Sequence, residues 1–370
     1  MSAMVDDTAL IEQSVHRLFA EQVDKASRER VEAGAFDARL WQLAVDSGFA
    51  HALASVAAGG IGATWSAAAP ILHAIGFWQV PLPLAETMVA RMLLSLSSIH
   101  APEGPIALIE QGRGNALRCN GAALRLDGTA AHVAWARHAA TALVSLNEGR
   151  LVLIDLRQRA VQCEPRSDPA GLPSDTVAFR QAPCIAEAAG PLALAQPVWT
   201  LGALARALMM VGALESVLEQ SVRYANERVQ FGKPIGRNQA IQQQLALMAG
   251  DAGAARMAAL AAAADAPNAA QPDAPSAAFS IAVAKVRAGE AATRAAAIAH
   301  QVHGAIGFTR EHPLHFATRR LWAWREQFGS DAWWAERLGR AAIAGGGAAF
   351  WPSLTRRHFD PAFAAPSSQP

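Results

Sequence analysis

Arg223-Tyr224-Ala225-Asn226-Glu227-Arg228-Val229-Gln230-Phe231-Gly232-Lys233-Pro234-Ile235-Gly236 joins two unlike textures. Upstream, from about Ala195, runs a long Ala- and Leu-rich segment with strong helix propensity. Within the quoted stretch, Gly232 and Pro234 break that periodicity and turn the chain. Gln239-Ala240-Ile241-Gln242-Gln243-Gln244-Leu245-Ala246 then starts a second helix.

Downstream, Asp265 to Ala278 contains Pro267, Pro272 and Pro275, so it cannot continue a helix and is expected to loop between two long antiparallel helices. Small alanine side chains let such helices pack closely, which predicts a four-helix bundle with a face free for another copy. Beyond about Gly347 a loose tail is expected. Upstream, the runs Ile106-Ala107-Leu108-Ile109, Ala123-Leu124-Arg125-Leu126 and Leu151-Val152-Leu153-Ile154-Asp155-Leu156 are bounded by Gly, Asn or Asp and predict strands of an antiparallel sheet or barrel. From Thr8 to about Ser98 the pattern is helical, with Leu10, Ile11, Val15, Leu18 and Phe19 forming one apolar face. The reading is a mostly α chain with a β middle domain: residues 1-100 helical, 101-195 β, 196-347 the four-helix bundle and 348-370 a tail.

Composition narrows the functions. Hydrophobic residues make up 52% of the 370, enough for a large core in two or three domains. A net charge of +1 with scattered Lys and Arg forms no basic stripe, which argues against nucleic acid. Cys119, Cys163 and Cys184 fit neither a CxxC pair nor an even disulfide framework, so a reduced, cytoplasmic setting is expected. The first ten residues show no signal-peptide pattern, and the Ala-rich tracts, broken by Asp251, Arg256 and Asp265, predict no membrane span. His300/His303 and Glu311/His312/His315 have ligand-like spacings, but capping and polar core roles explain them and no metal is expected. No GxSxG, Walker-type loop or strand-linked GxGxxG is present.

The opening stretch resembles the signature of the acyl-CoA dehydrogenases, flavoenzymes that introduce a 2,3-double bond into acyl thioesters. Gln301-Val302-His303-Gly304-Ala305-Ile306-Gly307, roughly seventy residues after Arg228, is similar to the family's Gln-x-x-Gly-Gly-x-Gly element. Gly59-Gly60-Ile61-Gly62 and Pro81-Leu82-Pro83-Leu84-Ala85-Glu86-Thr87 are similar to its N-terminal helical domain. The resemblance implies FAD, reached by these motifs from a neighbouring subunit. Arg228 would hold the pyrophosphate through its planar guanidinium, Phe231 would pack on the flavin nucleotide, and Gln239, Gln301 and Gly304 would line the ADP half. Taken alone, Arg228 reads as a solvated helix-end cation and Phe231 as core.

The family's chemistry needs a desolvated carboxylate to take the α-proton while hydride leaves the β-carbon for the flavin, and donors aimed at the thioester oxygen. Here the chain departs from the pattern. Alignment puts Phe328 at the usual glutamate position and Gly202 at the alternative one. The family's Trp-Ile-Thr element becomes His132-Val133-Ala134, and its Thr-Glu-Pro…Gly-Ser-Asp segment has no clear match between Ile106 and Gly121. Glu326, Asp331 and Glu215 are the competing candidates for the base, with Glu326 preferred for its neighbours Trp322 and Trp324, which would line a bulky acyl pocket. A surface carboxylate, a helix N-cap and a solvent-facing helix position are the respective plain alternatives. For the tryptophans, including Trp333 and Trp334, the alternative is bundle or interface packing.

Two functions follow as expectations: an FAD-dependent acyl-CoA dehydrogenase, or a non-catalytic subunit completing the FAD site of a paired dehydrogenase. The second resembles the heteromeric enzymes acting on steroid side chains. Either implies an acyl-CoA substrate, a dimer of dimers and an electron-transfer flavoprotein.

Overall fold

Helices α1 (Ser2–Gln22), α2 (Lys25–Glu32), α3 (Ala38–Asp46), α4 (Trp65–Phe77) and α5 (Leu84–Leu96) open the chain. The computed structural model describes residues 2–112, 114–120, 124–192, 194, 196–268 and 277–357. Polar residues start three of these helices, Asp37 capping α3 by accepting from the Leu40 amide at 2.9 Å. Asp24 accepts from the Ser27 amide at 2.7 Å in a reciprocal capping box, and Thr64 accepts from the Ala67 amide at 3.2 Å. Along α1, Val15 and Phe19 are fully buried with Ile11 and Leu18 packed beside them. Leu10 was expected on that face but is exposed, because it lies about 140° round the helix from Val15.

Seven strands follow: β1 (Ile106–Glu110), β2 (Ala116–Asn120), β3 (Arg125–Ala134), β4 (Thr141–Ser145), β5 (Leu151–Asp155), β6 (Val161–Glu164) and β7 (Ser174–Ala188). They form one sheet in the order β1-β4-β5-β7-β3-β2, with β6 added on β7. Ladders are antiparallel except β1 with β4, which runs parallel from Ile106↔Thr141; that corrects the expectation of a purely antiparallel sheet. Such a parallel pair needs a crossover, and the β2–β3 hairpin supplies it. The apolar runs at β1 and β5 are buried on both faces, whereas in the run that opens β3 Arg125 is exposed and Leu126 buried. Ile106, Leu108, Leu143, Leu151 and Leu153 join the main helical core, while Ala107, Ile109, Val144, Val152 and Ile154 fill the sheet's own core, by the period-2 rule. Of the run Ala123–Leu126, Ala123 lies outside the described residues.

The last region is α6 (Pro197–Glu227), a short hairpin β8 (Val229–Gln230) and β9 (Lys233–Pro234), α7 (Gln239–Asp265), α8 (Ala278–His303), α9 (Leu314–Glu326) and α10 (Asp331–Arg356). Helices α6, α7 and α8 pack on one another, with α9 on α6 and α10 on α8. Helices α6 and α7 are long and apolar enough to cross a bilayer, but the apolar window of α6 is 89% buried and it serves as the bundle's core helix. It crosses α4 backbone to backbone: a Cβ at Gly76 would lie 1.7 Å from the Met209 carbonyl oxygen, and one at Gly212 2.0 Å from that of His73. Most of the proline-bearing connection between α7 and α8, residues 269–276, lies outside the described residues. The segment after 347 was expected as a loose tail but is helical to Arg356 after a break at Gly346, whose φ is 73°. Residues 358–370 lie outside the described residues.

Candidate functional site

Two regions carry the candidate residues. The first is a buried cleft where the start of α5, the end of β3, α6 and α9 meet, lined by Glu86, Trp135, Asp168, Arg206, Arg320 and Gln327 among others. Arg206 stands alone as a charge in the apolar run Leu201–Leu214 and is 2% exposed, so it needs a partner. Its Nη2 donates to Glu86 Oε1 and its Nε to Gln327 Oε1 at 2.6 Å, tying α5, α6 and α9 together. Glu86, in the first turn of α5, is 3% exposed and forms a buried ion pair with it.

Next to Gln327 the chain turns sharply through Phe328 and Gly329, with φ of 55° and 92°. Three donations from Lys285 Nζ hold that turn, to the carbonyls of Trp324 at 2.9 Å, Arg325 at 3.1 Å and Gln327 at 2.9 Å. A fourth comes from Trp334 Nε1 to the Phe328 carbonyl at 3.0 Å. The Phe328 ring lies directly on Gly202: a Cβ there would come within 2.6 Å of its Cδ1 and Cε1. Trp199 meets the ring edge-on at 6.1 Å and the Arg206 guanidinium sits 5.5 Å from its centroid. The two positions aligned with family bases are therefore in contact and apolar.

The competing carboxylates are elsewhere. Glu326, expected as a desolvated base, is exposed at the end of α9, and Gln327 lines the cleft in its place. Asp331 pairs with Arg325 at 2.9 Å, while Ser330, not Asp331, caps α10 by accepting from the Trp333 amide at 3.2 Å. Glu215 meets His73 at 2.9 Å and Arg256 at 2.6 Å on the α4–α6–α7 seam. Of the tryptophans, Trp324 lines the cleft and Trp322 is 41% exposed, while Trp333 and Trp334 pack edge-on at 4.7 Å.

The second region is the far end of α6. Arg228 ends that helix, and the β8–β9 hairpin that follows exposes 98% of Phe231 at its tip, with φ of 50° and Gly232 beside it at 77°. A small core of Ala225, Ile235 and Val302 fastens the hairpin to the end of α8, where the Tyr224 and His303 rings stack at 4.5 Å. This brings the Arg228 and Gln301 segments to one end of the bundle. Arg228, Gln239, Gln301 and Gly304 are all exposed there. Gly304 adopts a φ of 62° with no atom within 4 Å of a Cβ built on it, leaving its backbone open to close approach. His312 meets the Tyr224 and His303 rings edge-on, and burial first, then His303 and Arg223, push it down to about 4. Among the described residues no three His, Cys, Asp or Glu side chains converge as metal ligands.

Cleft and hairpin are far apart in one chain. At about 1.5 Å per residue, Arg206 and Arg228 are separated by roughly 33 Å along α6.

Residues 192–343 match the family described as acyl-CoA dehydrogenase, C-terminal domain. The chain is 29% identical over 334 residues to acyl-CoA dehydrogenase IpdE2 of Mycobacterium tuberculosis, covering 85% of this chain and 91% of that protein. It is 39% identical over 104 residues to a glutaryl-CoA dehydrogenase of Desulfococcus multivorans, covering 28% of this chain and 26% of that one. Among solved structures it is similar to a chain of the ChsE4-ChsE5 complex from Mycobacterium tuberculosis, with TM-score 0.77 and 24% identity over 94% of this chain and 98% of that one. Residues 192–343 thus match the C-terminal domain of the acyl-CoA dehydrogenases, and the chain as a whole shares the fold of the solved structure.

Proposed function

We propose that the chain is a subunit of an FAD-dependent acyl-CoA dehydrogenase that completes a flavin site shared with a partner subunit and leaves α-proton removal to that partner. The observation that carries this reading is the Phe328 ring seated on Gly202, which replaces both family base positions with one apolar contact. The exposed Arg228, Phe231, Gln301 and Gly304 fit the nucleotide part of FAD: a cation for the pyrophosphate, an aromatic face, and open backbone. About 33 Å of helix stands between them and the cleft, which supports their serving a neighbour's flavin.

The ring part of FAD fits this chain poorly. Ala134 stands where the family's Trp-Ile-Thr element ends, and Trp135 beside it is 3% exposed. The cleft they border has a cavity volume of only ≈ 10 Å³, room for about one water molecule, against the ~300–1,000 Å³ of pockets that bury drug-sized ligands. An acyl-CoA substrate and an electron-transfer flavoprotein are thus assigned to the assembly. The structure of ChsE4 with ChsE5 supplies a precedent of the same fold in a two-component complex.

Dehydrogenation by the chain alone has one observation in its favour, since Glu86 is a carboxylate lining the cleft. Its engagement by Arg206 argues for a structural role. Expression alone and together with candidate paired dehydrogenase subunits separates the readings. The account expects turnover of acyl-CoA thioesters only in the complex, unchanged within about twofold by Glu326→Gln. Turnover by the chain alone that is abolished in Glu86→Gln, with the fold intact by circular dichroism, contradicts it.

A further inference from the structure

Four histidines gather where the end of α6, the end of α8 and the start of α9 meet: His300 and His303 in the last turn of α8, His312 just before α9 and His315 in its first turn. His303 is 3% exposed. Its ring stacks on Tyr224 at 4.5 Å and meets the edge of His312 at 4.6 Å, while Tyr224 and His312 lie 6.1 Å apart, so the three rings form one cluster. His300 stacks on Phe308 at 4.5 Å beside them.

Backbone groups hold the two inner rings neutral. His312 Nδ1 accepts from the Leu314 amide at 3.2 Å, which requires a lone pair on that nitrogen. His303 Nδ1 donates to the Ala299 carbonyl at 2.8 Å, and its Nε2 is buried with no partner among the described residues, so a second proton there would be an N–H without an acceptor. The neighbouring charges act in the same direction. Arg223 faces the cluster from α6, His300 from α8 and His315 from α9, while Arg310 and Glu311 in the connection before His312 are exposed. Burial is the largest cause, and both rings are lowered, His312 to about 4.

The cluster sits at the root of the β8–β9 hairpin. Tyr224 packs on the small core of Ala225, Ile235 and Val302 that fastens the hairpin to α8, and Gly304 follows His303 directly. Two imidazolium rings in contact beside Arg223 repel one another and cost the Tyr224 stack.

We propose that the Tyr224–His303–His312 cluster is an acid-sensitive latch: neutral, it docks the hairpin carrying Arg228 and Phe231 against the end of α8, and protonated, it frees that hairpin while the bundle stays folded. Release takes up protons, because His312 sits at about 4 when docked and returns toward 6.5 when freed, so docking is complete above 6.5 and is lost as pH falls toward 4. In the proposed function the freed edge is the one that meets the nucleotide, and acid would loosen that site. The latch itself rests on the ring contacts and is tested without FAD, so either reading can fail alone.

Tyr224 is the chain's single tyrosine, so full-length protein labelled with fluorotyrosine gives one fluorine resonance that reports on the stack. Recorded from about pH 7.5 down to about 4, it should move toward the position of a solvated tyrosine with a midpoint between about 4 and 6.5, before the near-ultraviolet circular dichroism of the ten tryptophans changes. His312→Phe keeps a ring in the cluster and removes one titrating group, and should lower that midpoint by at least about half a pH unit. Should the variant fail to fold, histidine ring signals of the wild-type protein decide, since those of His303 and His312 must titrate with the fluorine midpoint. A fluorine resonance that stays fixed or moves only together with the tryptophan signal, a midpoint unchanged in His312→Phe, or histidine signals that titrate apart from it would overturn the proposal.

Discussion

Phe328 and Gly202 act as one unit. The ring covers the glycine so closely that a methyl group at position 202 would lie 2.6 Å from it, and packing of that kind is bistable only at a cost. Gly202→Ala should destabilise the protein by about 1–3 kcal/mol, as overpacking does. Combined with Phe328→Ala the loss should be much less than additive, because the smaller side chain makes room for the new methyl. Urea unfolding of the single and double variants measures this; strict additivity would show that the two positions do not share the space. Glu86 behaves differently. Its replacement by Gln leaves Arg206 as a buried cation with only Gln327 as a firm partner, and a loss of about 3–5 kcal/mol is expected in the same assay.

At the scale of elements, the α4–α6 crossing is set by Gly76 and Gly212, each facing a carbonyl of the other helix. Gly212→Ala should therefore cost at least about 2 kcal/mol despite its better helix propensity, whereas Gly250→Ala, on the open side of α7, should be neutral or stabilising. Thermal melts of the two variants give the comparison. Glu215 ties the same seam together. Burial by itself would raise its carboxyl, but hydrogen bonds from His73 and Arg256 together with their charges outweigh that and hold it at about 2. A folded value below the unfolded one near 4.5 gives stability that is complete above 4.5 and is lost as pH falls toward 2. Glu215→Gln should thus lower the melting temperature at pH 6, with the gap to wild type narrowing by pH 3; a gap constant with pH would contradict the assignment.

Legibility differed among these elements for physical reasons. The hairpin of residues 228–236 could be read because glycine and proline act locally, and β1 and β5 because both of their faces are apolar. The parallel β1–β4 pair was invisible, since register over a crossover of thirty-odd residues leaves no local mark. The helix beyond Gly346 was missed because three glycines, Gly345 to Gly347, mask a helical run that resumes after a bend. Beside the cleft, Phe328 and Gly202 could be located by alignment with the family, but their mutual contact could not. Arg206 did leave a signal, a single charge in an apolar run, which points to a buried partner without saying that Glu86 and Gln327 supply it. Arg320, buried on α9, carried no such mark, because that helix is rich in arginine.

Over the whole molecule, one helix separates two functions. The start of α6 carries the closed, apolar pair at the former base positions, and its end carries the open edge suited to a nucleotide. Under the proposed function, such a chain works beside another that offers a flavin-ring seat and a carboxylate. The flavin content of the native assembly tests that claim most directly: absorbance and released FAD, set against chain concentration, for the protein alone and in complex with a paired dehydrogenase subunit. The account predicts negligible flavin for the protein alone and one FAD for each pair of unlike chains. One FAD per chain in an assembly of this chain alone, accompanied by acyl-CoA turnover, would contradict it.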